Sequence, residues 1–390
     1  MEINIIKAEK LEVFYLPASL VLTFSPKSIK MYIKSILKAL PLCVCLALSS
    51  CGDEDGGSGS QTPQTPTTPE EPEDNSTFTN PIISNGPDPW VIQDGDNYYY
   101  THTMGNRLGI YKTTAVSELK NVNSQTVWTP EPNQPYSKNL WAPELHKVDG
   151  KWYFYFAADD GDDANHRMFV VENSNEDPTS GTWEFKGKIA TETDKWAIDG
   201  TVFEYDGSNY FIWSGWRGDN DPGIQQLYIA KMSNPWTLEG DRVMISEPTY
   251  DWEKNGLVNE GPEILKNAEG DVFLIYSGSG CWTDDYKLGM ITLKEGGDPL
   301  NPEDWTKQSE PVFTKKPEHN AYGPGHNSFF KSPDGTEDWI IYHANPQPGQ
   351  GCGGNRSTRI QKFTWNEDGT PNFGEPVSIN TAIEKPAGEE

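Results

Sequence analysis

From residue 86 onward, one pattern of polar and apolar positions returns five times along the chain. Each copy opens on a polar or acidic head and runs through a short apolar stretch to an Asp/Gly-type turn. It then enters an aromatic strand, and a loop and a third, alternating strand complete it. The first copy is Gly86 to Thr103, GPDPWVIQDGDNYYYTHT, continued by Leu108-Gly109-Ile110-Tyr111. The others begin at Trp141 (WAPELHKVDGKWYFYFAA), Trp196 (WAIDGTVFEYDGSNYFIWSGW), Asn259 (NEGPEILKNAEGDVFLIYSGSG) and Gly323 (GPGHNSFFKSPDGTEDWIIYHAN). Successive copies start 55, 55, 63 and 64 residues apart. That period is long for a solenoid and suits a propeller blade of three or four strands. No stretch carries a sustained 3.6-residue periodicity with caps, so helix should be scarce. A two-domain β-sandwich would leave five matched units unexplained. The expected fold is all-β, a five-bladed β-propeller built as a single domain over residues 78–390.

Blades set their first strands around a central channel, so the heads of those strands converge on one mouth. Here the heads carry Asp88, Glu144, Asp199, Glu260 with Glu263, and His326. Asp88 stands between Pro87 and Pro89, which disfavour helix and hold it at a rigid, extended entrance. Carboxylates crowded together raise one another's pKa, which keeps one protonated for acid catalysis near neutral pH. The three-residue offset between Glu260 and Glu263 leaves open which of them faces the channel.

Composition narrows the partners. Aromatic residues make up 12% of the chain, enough for a large core, and the net charge of −27 argues against nucleic acid. Met31 to Ser50 has lysines followed by an apolar run, and Leu48-Ser49-Ser50-Cys51 resembles a lipoprotein signal cleaved before a lipid-modified cysteine. Residues 1–30 fit no part of such a signal, which puts the true start at Met31. Residues 51–77, rich in Gly, Ser, Thr, Pro and acid, read as a flexible tether. Acidic residues after Cys51 resemble the surface-export signal of Bacteroidetes lipoproteins. The expectation is an exported lipoprotein, anchored to the outer membrane through Cys51 and exposed at the cell surface, with the periplasmic face as the alternative. Cys43 and Cys45 leave with the signal, so Cys281 and Cys352 remain in the folded part, where they could pair.

The heads GPDPW at Asp88, WAPELH from Trp141 to His146, WAIDGTVFE at Asp199, VNEGPEIL at Glu260 and GPGHNS at His326 come in an order that resembles glycoside hydrolase family 43. The resemblance spans residues 79–384. It implies a five-bladed catalytic propeller that cleaves arabinose- or xylose-containing glycans with inversion. It implies Asp88 as the general base that activates water, Glu260 as the general acid, and Asp199 as the carboxylate that orients the acid and tunes its pKa. It favours Glu260 over Glu263, which is left facing the core side or in a structural contact. It gives Glu144 no proton-transfer role, so Glu144 is expected to be structural or to support the site from behind. Inversion needs roughly 6.5–9.5 Å between acid and base, which residues on different blades can meet.

His326 matches the family's histidine near a channel-bound cation, often calcium and largely hydrated; no organic cofactor is implied. The loop Asp159 to Asp163, DDGDD, lacks EF-hand spacing and reads as a solvated turn. Sugar rings offer an apolar C–H face, so Trp90 and Trp141 are expected to wall the −1 subsite. The family places an arginine near the acid. Arg356 and Arg359 both lie in the Gly-rich stretch GQGCGGNRSTR, and Arg359 is preferred because Arg356 is expected in a mobile loop. The activity implied is release of terminal α-L-arabinofuranosyl units from arabinan or arabinoxylan by a monomeric enzyme. β-Xylosidase and endo-arabinanase activities share the scaffold. A non-catalytic glycan-binding lipoprotein is the reading from another class, and it predicts a lost acid or base, whereas all three carboxylates are present.

Overall fold

The computed structural model describes residues 76–219 and 223–390. Residues 1–30, the expected signal at 31–50, the anchor Cys51 and the tether up to residue 75 lie outside the described residues.

Five four-stranded antiparallel sheets follow one another, each built from strands in sequence order. Blade one comprises Trp90–Asp94, Asn97–Thr101, Leu108–Thr113 and Gln125–Trp128. Blade two comprises Lys138–Val148, Lys151–Asp159, Arg167–Asn173 and Glu184–Ile189. Blade three runs through Ala197–Tyr205, Ser208–Trp216, Gln225–Asn234 and Thr237–Ser246. Blade four uses Asn259–Lys266, Val272–Gly278, Lys287–Leu293 and Trp305–Lys307. Blade five uses Tyr322–Lys331, Asp338–Asn345, Ser357–Trp365 and Pro371–Asn372. Helix among the described residues is confined to short 3-10 turns such as Val116–Asn121.

Both faces of a blade are buried, which is why the second strand of each copy reads as a nearly continuous apolar run. In blade two, Tyr153, Tyr155 and Ala157 pack toward blade three, while Trp152, Phe154, Phe156 and Ala158 pack toward blade one. That is the period-2 alternation of a strand with two cores to fill. Five hydrophobic clusters result, one between each adjacent pair of blades. The last joins Val91, Tyr98 and Tyr100 of blade one to Phe330, Trp339 and Ile341 of blade five. The ring closes there. Thr77–Thr79 pairs with Ala382–Glu384, placing Phe78 in the same cluster, and the buried Asn80 amide grips both backbone groups of Ile360.

A single distortion recurs at every head. Asp88, Ala142, Asp199, Gly261 and His326 all have positive φ, between 41° and 56°. In blades two to five the pairing register slips across them: Trp141/Glu144, Ile198/Thr201, Glu260/Glu263 and Gly325/Ser328. Such a bulge turns one residue out of the pleat and re-aims its side chain. It also removes an N–H from the ladder, and at four of the five heads a side chain of the preceding blade accepts it. Asp88 N–H donates to His343 Nδ1 at 3.1 Å, Ala142 N–H to Thr103 Oγ1 at 2.7 Å, Gly261 N–H to Asp199 Oδ2 at 3.0 Å, and His326 N–H to Ser277 Oγ at 2.8 Å. Three of the five left-handed residues are Asp or His, types that tolerate this conformation better than most. Strain held by cross-blade bonds at one end of a channel is the usual mark of a working site.

Candidate active site

The bulges open into a cavity of about 300 Å³ at the mouth of the channel, lined by Asp88, Asp199, Glu260, His326 and Arg356, with Trp141, Trp196 and Trp282 among its walls. A wider groove of about 760 Å³ lies between Lys266–Asp271 and Trp365–Gly369, toward the turn ends of the strands, and none of the head carboxylates reaches it.

Asp88 is 8% exposed. Its Oδ1 meets Arg356 Nη1 at 2.6 Å, and its Oδ2 accepts the Thr103 hydroxyl at 2.7 Å. Burial alone would favour the neutral acid. The Arg356 charge, His326, His343 and the Thr103 hydrogen bond outweigh it and hold the carboxyl far below the usual range. Burial pushes both imidazoles toward their neutral forms, and His343 Nδ1 accepts the Asp88 N–H, so near neutral pH the lasting charge is that of Arg356. Asp88 is thus held as an ionised carboxylate near neutral pH, the state a general base must start from.

Glu260 is the opposite case. Burial, opposed by the adjacent Tyr286 hydroxyl and reinforced by the negative charge of Asp88, pushes it up to about 7. Asp199 is raised by burial, then by Glu260 and Asp88, against the Gly261 N–H it accepts. One protonated carboxyl and one ionised carboxylate therefore share the cavity from different blades.

The remaining sequence-derived residues divide. Trp141 lines the cavity, its ring stacked on His166 at 4.0 Å. Trp90 does not. It lies two positions beyond the bulge residue Asp88, one rung deeper, where its Nε1 donates to Leu145 O at 3.0 Å and its ring packs on His146 in the core between blades one and two. Arg359 is also displaced from its expected place. It is fully buried in blade five, donating from Nη2 to Asn320 O at 2.7 Å, and the arginine that reaches the cavity is Arg356. Arg356 is anchored there by its carbonyl, which accepts the Gly86 N–H at 2.9 Å, and its loop is cross-linked four residues earlier by the Cys352–Cys281 disulfide, with Cα atoms 5.2 Å apart.

Glu144 and Glu263 occupy equivalent positions two residues beyond their bulges, beneath the cavity. Glu144 Oε2 meets His146 Nε2 at 2.8 Å, and Glu263 Oε2 is buried without a hydrogen bond. Burial raises both well above the usual range, Glu144 further through Glu263. The DDGDD loop is only partly the solvated turn expected. Asp160 to Asp163 are exposed, but Asp159 is buried and lies 3.1 Å from His166 Nδ1, behind Trp141. Among the described residues, Asp159, Asp163 and His166 are the His/Cys/Asp/Glu group close enough to share a cation; His326 has no such group around it. His326 instead borders a small space beneath the cavity with Asn327, whose amide oxygen and nitrogen are both buried without partners. Those unpartnered amide atoms fit a hydrated occupant better than a cation held by protein ligands alone.

Thr103, Trp196 and Trp282 also line the cavity, with no role expected for them from the sequence. Trp196 opens the third copy in the place Trp141 opens the second, a usable signal. Trp282 sits in a loop, where the repeat carries no information.

An ionised carboxylate paired with arginine and a carboxyl raised toward neutrality line one sugar-sized pocket in a five-bladed propeller, an arrangement suited to acid–base glycoside hydrolysis. The comparisons agree: the chain belongs to the glycosyl hydrolases family 43, whose model matches residues 78–371. It is 42% identical over 312 residues to an extracellular exo-alpha-(1->5)-L-arabinofuranosidase of Streptomyces avermitilis, covering 77% of this chain and 64% of that one. It is 39% identical over 275 residues to the protein of the same description from Streptomyces chartreusis, covering 68% and 82%. The crystal structure of an alpha-L-arabinofuranosidase from Lactobacillus brevis superposes with a TM-score of 0.73 at 38% identity, covering 78% of this chain and 98% of that one. The chain thus spans less than two thirds of the Streptomyces avermitilis relative.

Proposed function

We propose that this protein is an inverting, exo-acting glycosidase that releases terminal α-L-arabinofuranosyl units from arabinan or arabinose-containing plant polysaccharides. The observation that carries the reading is the opposed state of Asp88 and Glu260 in one pocket of about 300 Å³. A pocket of that size suits a terminal sugar with its neighbour rather than a long chain. The arabinose preference is supported by the printed activities of the relatives.

In the reaction, water attacks the anomeric carbon from the Asp88 side and gives its proton to Asp88. The bond to the leaving oxygen breaks as Glu260 delivers its proton there. Attack and departure on opposite faces invert the anomeric centre. Arg356 keeps Asp88 ionised before the step, and Asp199 fixes the Gly261 backbone beside the acid. The same proposal includes a hydrated calcium ion in the channel, with His326 and the Asn327 amide as the protein groups that would hold it. Such an ion would supply positive charge beneath the carboxylates. Treatment with EDTA should lower the melting temperature or the rate, and addition of calcium should restore it; identical curves would remove the ion from the proposal. The names of the extracellular relatives support export, and the Leu48–Cys51 signal supports a lipid anchor, for a protein acting on external glycan.

The test is hydrolysis of linear 1,5-α-arabino-oligosaccharides beside xylo-oligosaccharides, with products followed by chromatography and the released anomer by NMR. Stepwise release of arabinose with inverted configuration is expected. Xylose release would keep the chemistry and overturn the substrate; retained configuration would overturn the mechanism.

A further inference from the structure

Most of the tryptophans that pack the blades are buried, but Trp282 is 56% exposed and lines the catalytic cavity. Its exposure is structured rather than loose. A Cβ at Gly280 would collide with the indole, and one at Gly256 would come within 2.9 Å of it, so the ring lies against a floor of glycine backbone. The floor is itself tied down: Gly280 N–H donates to Asn255 O at 2.7 Å, and the Asn255 amide donates to Asp285 at 2.9 Å. On the other flank, Cys281 is bonded to Cys352 across 71 residues, and Gly349 N–H donates to Asp284 at 2.8 Å. A large aromatic surface is thus held in place at the rim of the site before any ligand arrives.

We propose that Trp282, clamped by the Cys281–Cys352 disulfide, is the stacking platform for the sugar ring on the leaving-group side of the scissile bond. The inference rests on the glycosidase reading above and names the side of the pocket that reads the aglycone. Position decides the side. Gly256 and Asn255 lead directly into the strand that carries Glu260, and Trp282 belongs to the loop after the next strand of the same blade. The group that protonates the leaving oxygen must stand beside the leaving sugar, so a platform on the acid's blade faces that sugar. Trp141 lines the cavity from blade two, next to Ala142, whose N–H donates to Thr103 of blade one, the partner of Asp88. An indole face suits the apolar C–H face of a pyranose or furanose ring. Because loop and ring are already ordered, little conformational entropy is lost on binding. The disulfide also joins the Trp282 loop to the loop bearing Arg356, so the platform and the base's arginine are set by one cross-link.

The test compares a substrate whose leaving group is a sugar with one whose leaving group offers nothing to stack on. For Trp282→Ala, the kcat/KM on α-1,5-arabinotriose divided by that on methyl α-L-arabinofuranoside should fall about tenfold or more relative to wild type. Trp282→Phe should recover part of the ratio. The double variant Cys281→Ser with Cys352→Ser should lower it by about threefold without removing the ring. A ratio within about twofold of wild type for Trp282→Ala, with a wild-type-like melting curve, would overturn the assignment. If the wild type cleaves xylobiose and not arabinosides, the substrate reading fails, and the same drop is then required on xylobiose against methyl β-D-xyloside. A wild type that cleaves neither pair overturns both.

Discussion

Two sets of carboxyl groups occupy the channel, one rung apart. The upper set, Asp88, Asp199 and Glu260, opens into the cavity; the lower pair, Glu144 and Glu263, does not. All five are nearly fully buried, and burial works on all of them in the same direction. Glu260 and Glu263 even share a strand and are separated only by the left-handed Gly261 and by Pro262. What separates the sets is the bulge. Residues at or just before it are turned into the mouth, and residues two positions later return to the pleat and face one another in the closed part of the channel. Burial and a raised pKa thus mark both sets; access to a ligand and an opposed, ionised partner mark only one.

The largest effect expected from breaking that contrast is in Glu260→Gln. Removing the proton while keeping the shape should lower kcat by about 10²–10⁴-fold and leave the melting temperature near that of wild type. A loss of this size in Glu263→Gln, with Glu260→Gln near normal, would reverse the two roles. In the wild type, an acid must be protonated to act, so activity should be present below the pKa of Glu260 and fall as pH rises through about 7. The groups facing it are Tyr286, Asp88, Asp199 and Arg356.

Arg356→Met should have the next largest effect, about 10–100-fold in kcat/KM, the scale of a lost charge-assisted hydrogen bond. Its signature is in the pH profile. Arg356 holds the pKa of both Asp88 and Glu260 down, so without it both should rise. The acidic limb, where Asp88 becomes protonated, and the alkaline limb, where Glu260 loses its proton, should both move to higher pH. A rate loss with both limbs unmoved would make Arg356 a binding residue only.

The blades were legible because each second strand must be apolar on two faces, and aromatic runs separated by Asp/Gly turns show this directly. Asp88, Asp199 and Glu260 were legible as a set, although nothing in the pattern showed that one bulge puts all three in the mouth. Glu144 looks like the head of blade two, but the true equivalent of Asp88 there is Ala142, two residues earlier. A Pro or Gly follows the left-handed residue in four of the blades (Pro89, Pro143, Gly200, Pro262), and aligning on that position would have placed Trp90 with Glu144 and Glu263, below the site. Arg356 was hidden for a different reason. Its loop is glycine-rich and reads as mobile, and what fixes it is long-range: a cross-link between residues 71 positions apart and hydrogen bonds to Gly86 and Asp284. Repeat periodicity reports what packs between blades and says little about loops held from outside the repeat.

The smallest effect is expected from the lower pair, where it would also be the most discriminating. Glu263→Gln should leave kcat within about fivefold of wild type, because the side chain reaches neither substrate nor acid. Its stability should nevertheless change with pH. The folded state holds the Glu263 proton well above the usual range, so from the unfolded glutamate's pKa of about 4.3 upward the native state binds more protons than the unfolded one. Native stability is eroded as pH rises through that interval. Glutamine carries no such penalty, so the melting temperature of the variant relative to wild type should climb between pH 4 and pH 8. A gain of about 1 kcal/mol would appear as about 2–4 °C or less in a domain of this size. A difference that stays flat across that range would mean that Glu263 is ionised in the native channel. The lower pair would then be an unprotonated charge reservoir beneath the site rather than its neutral floor.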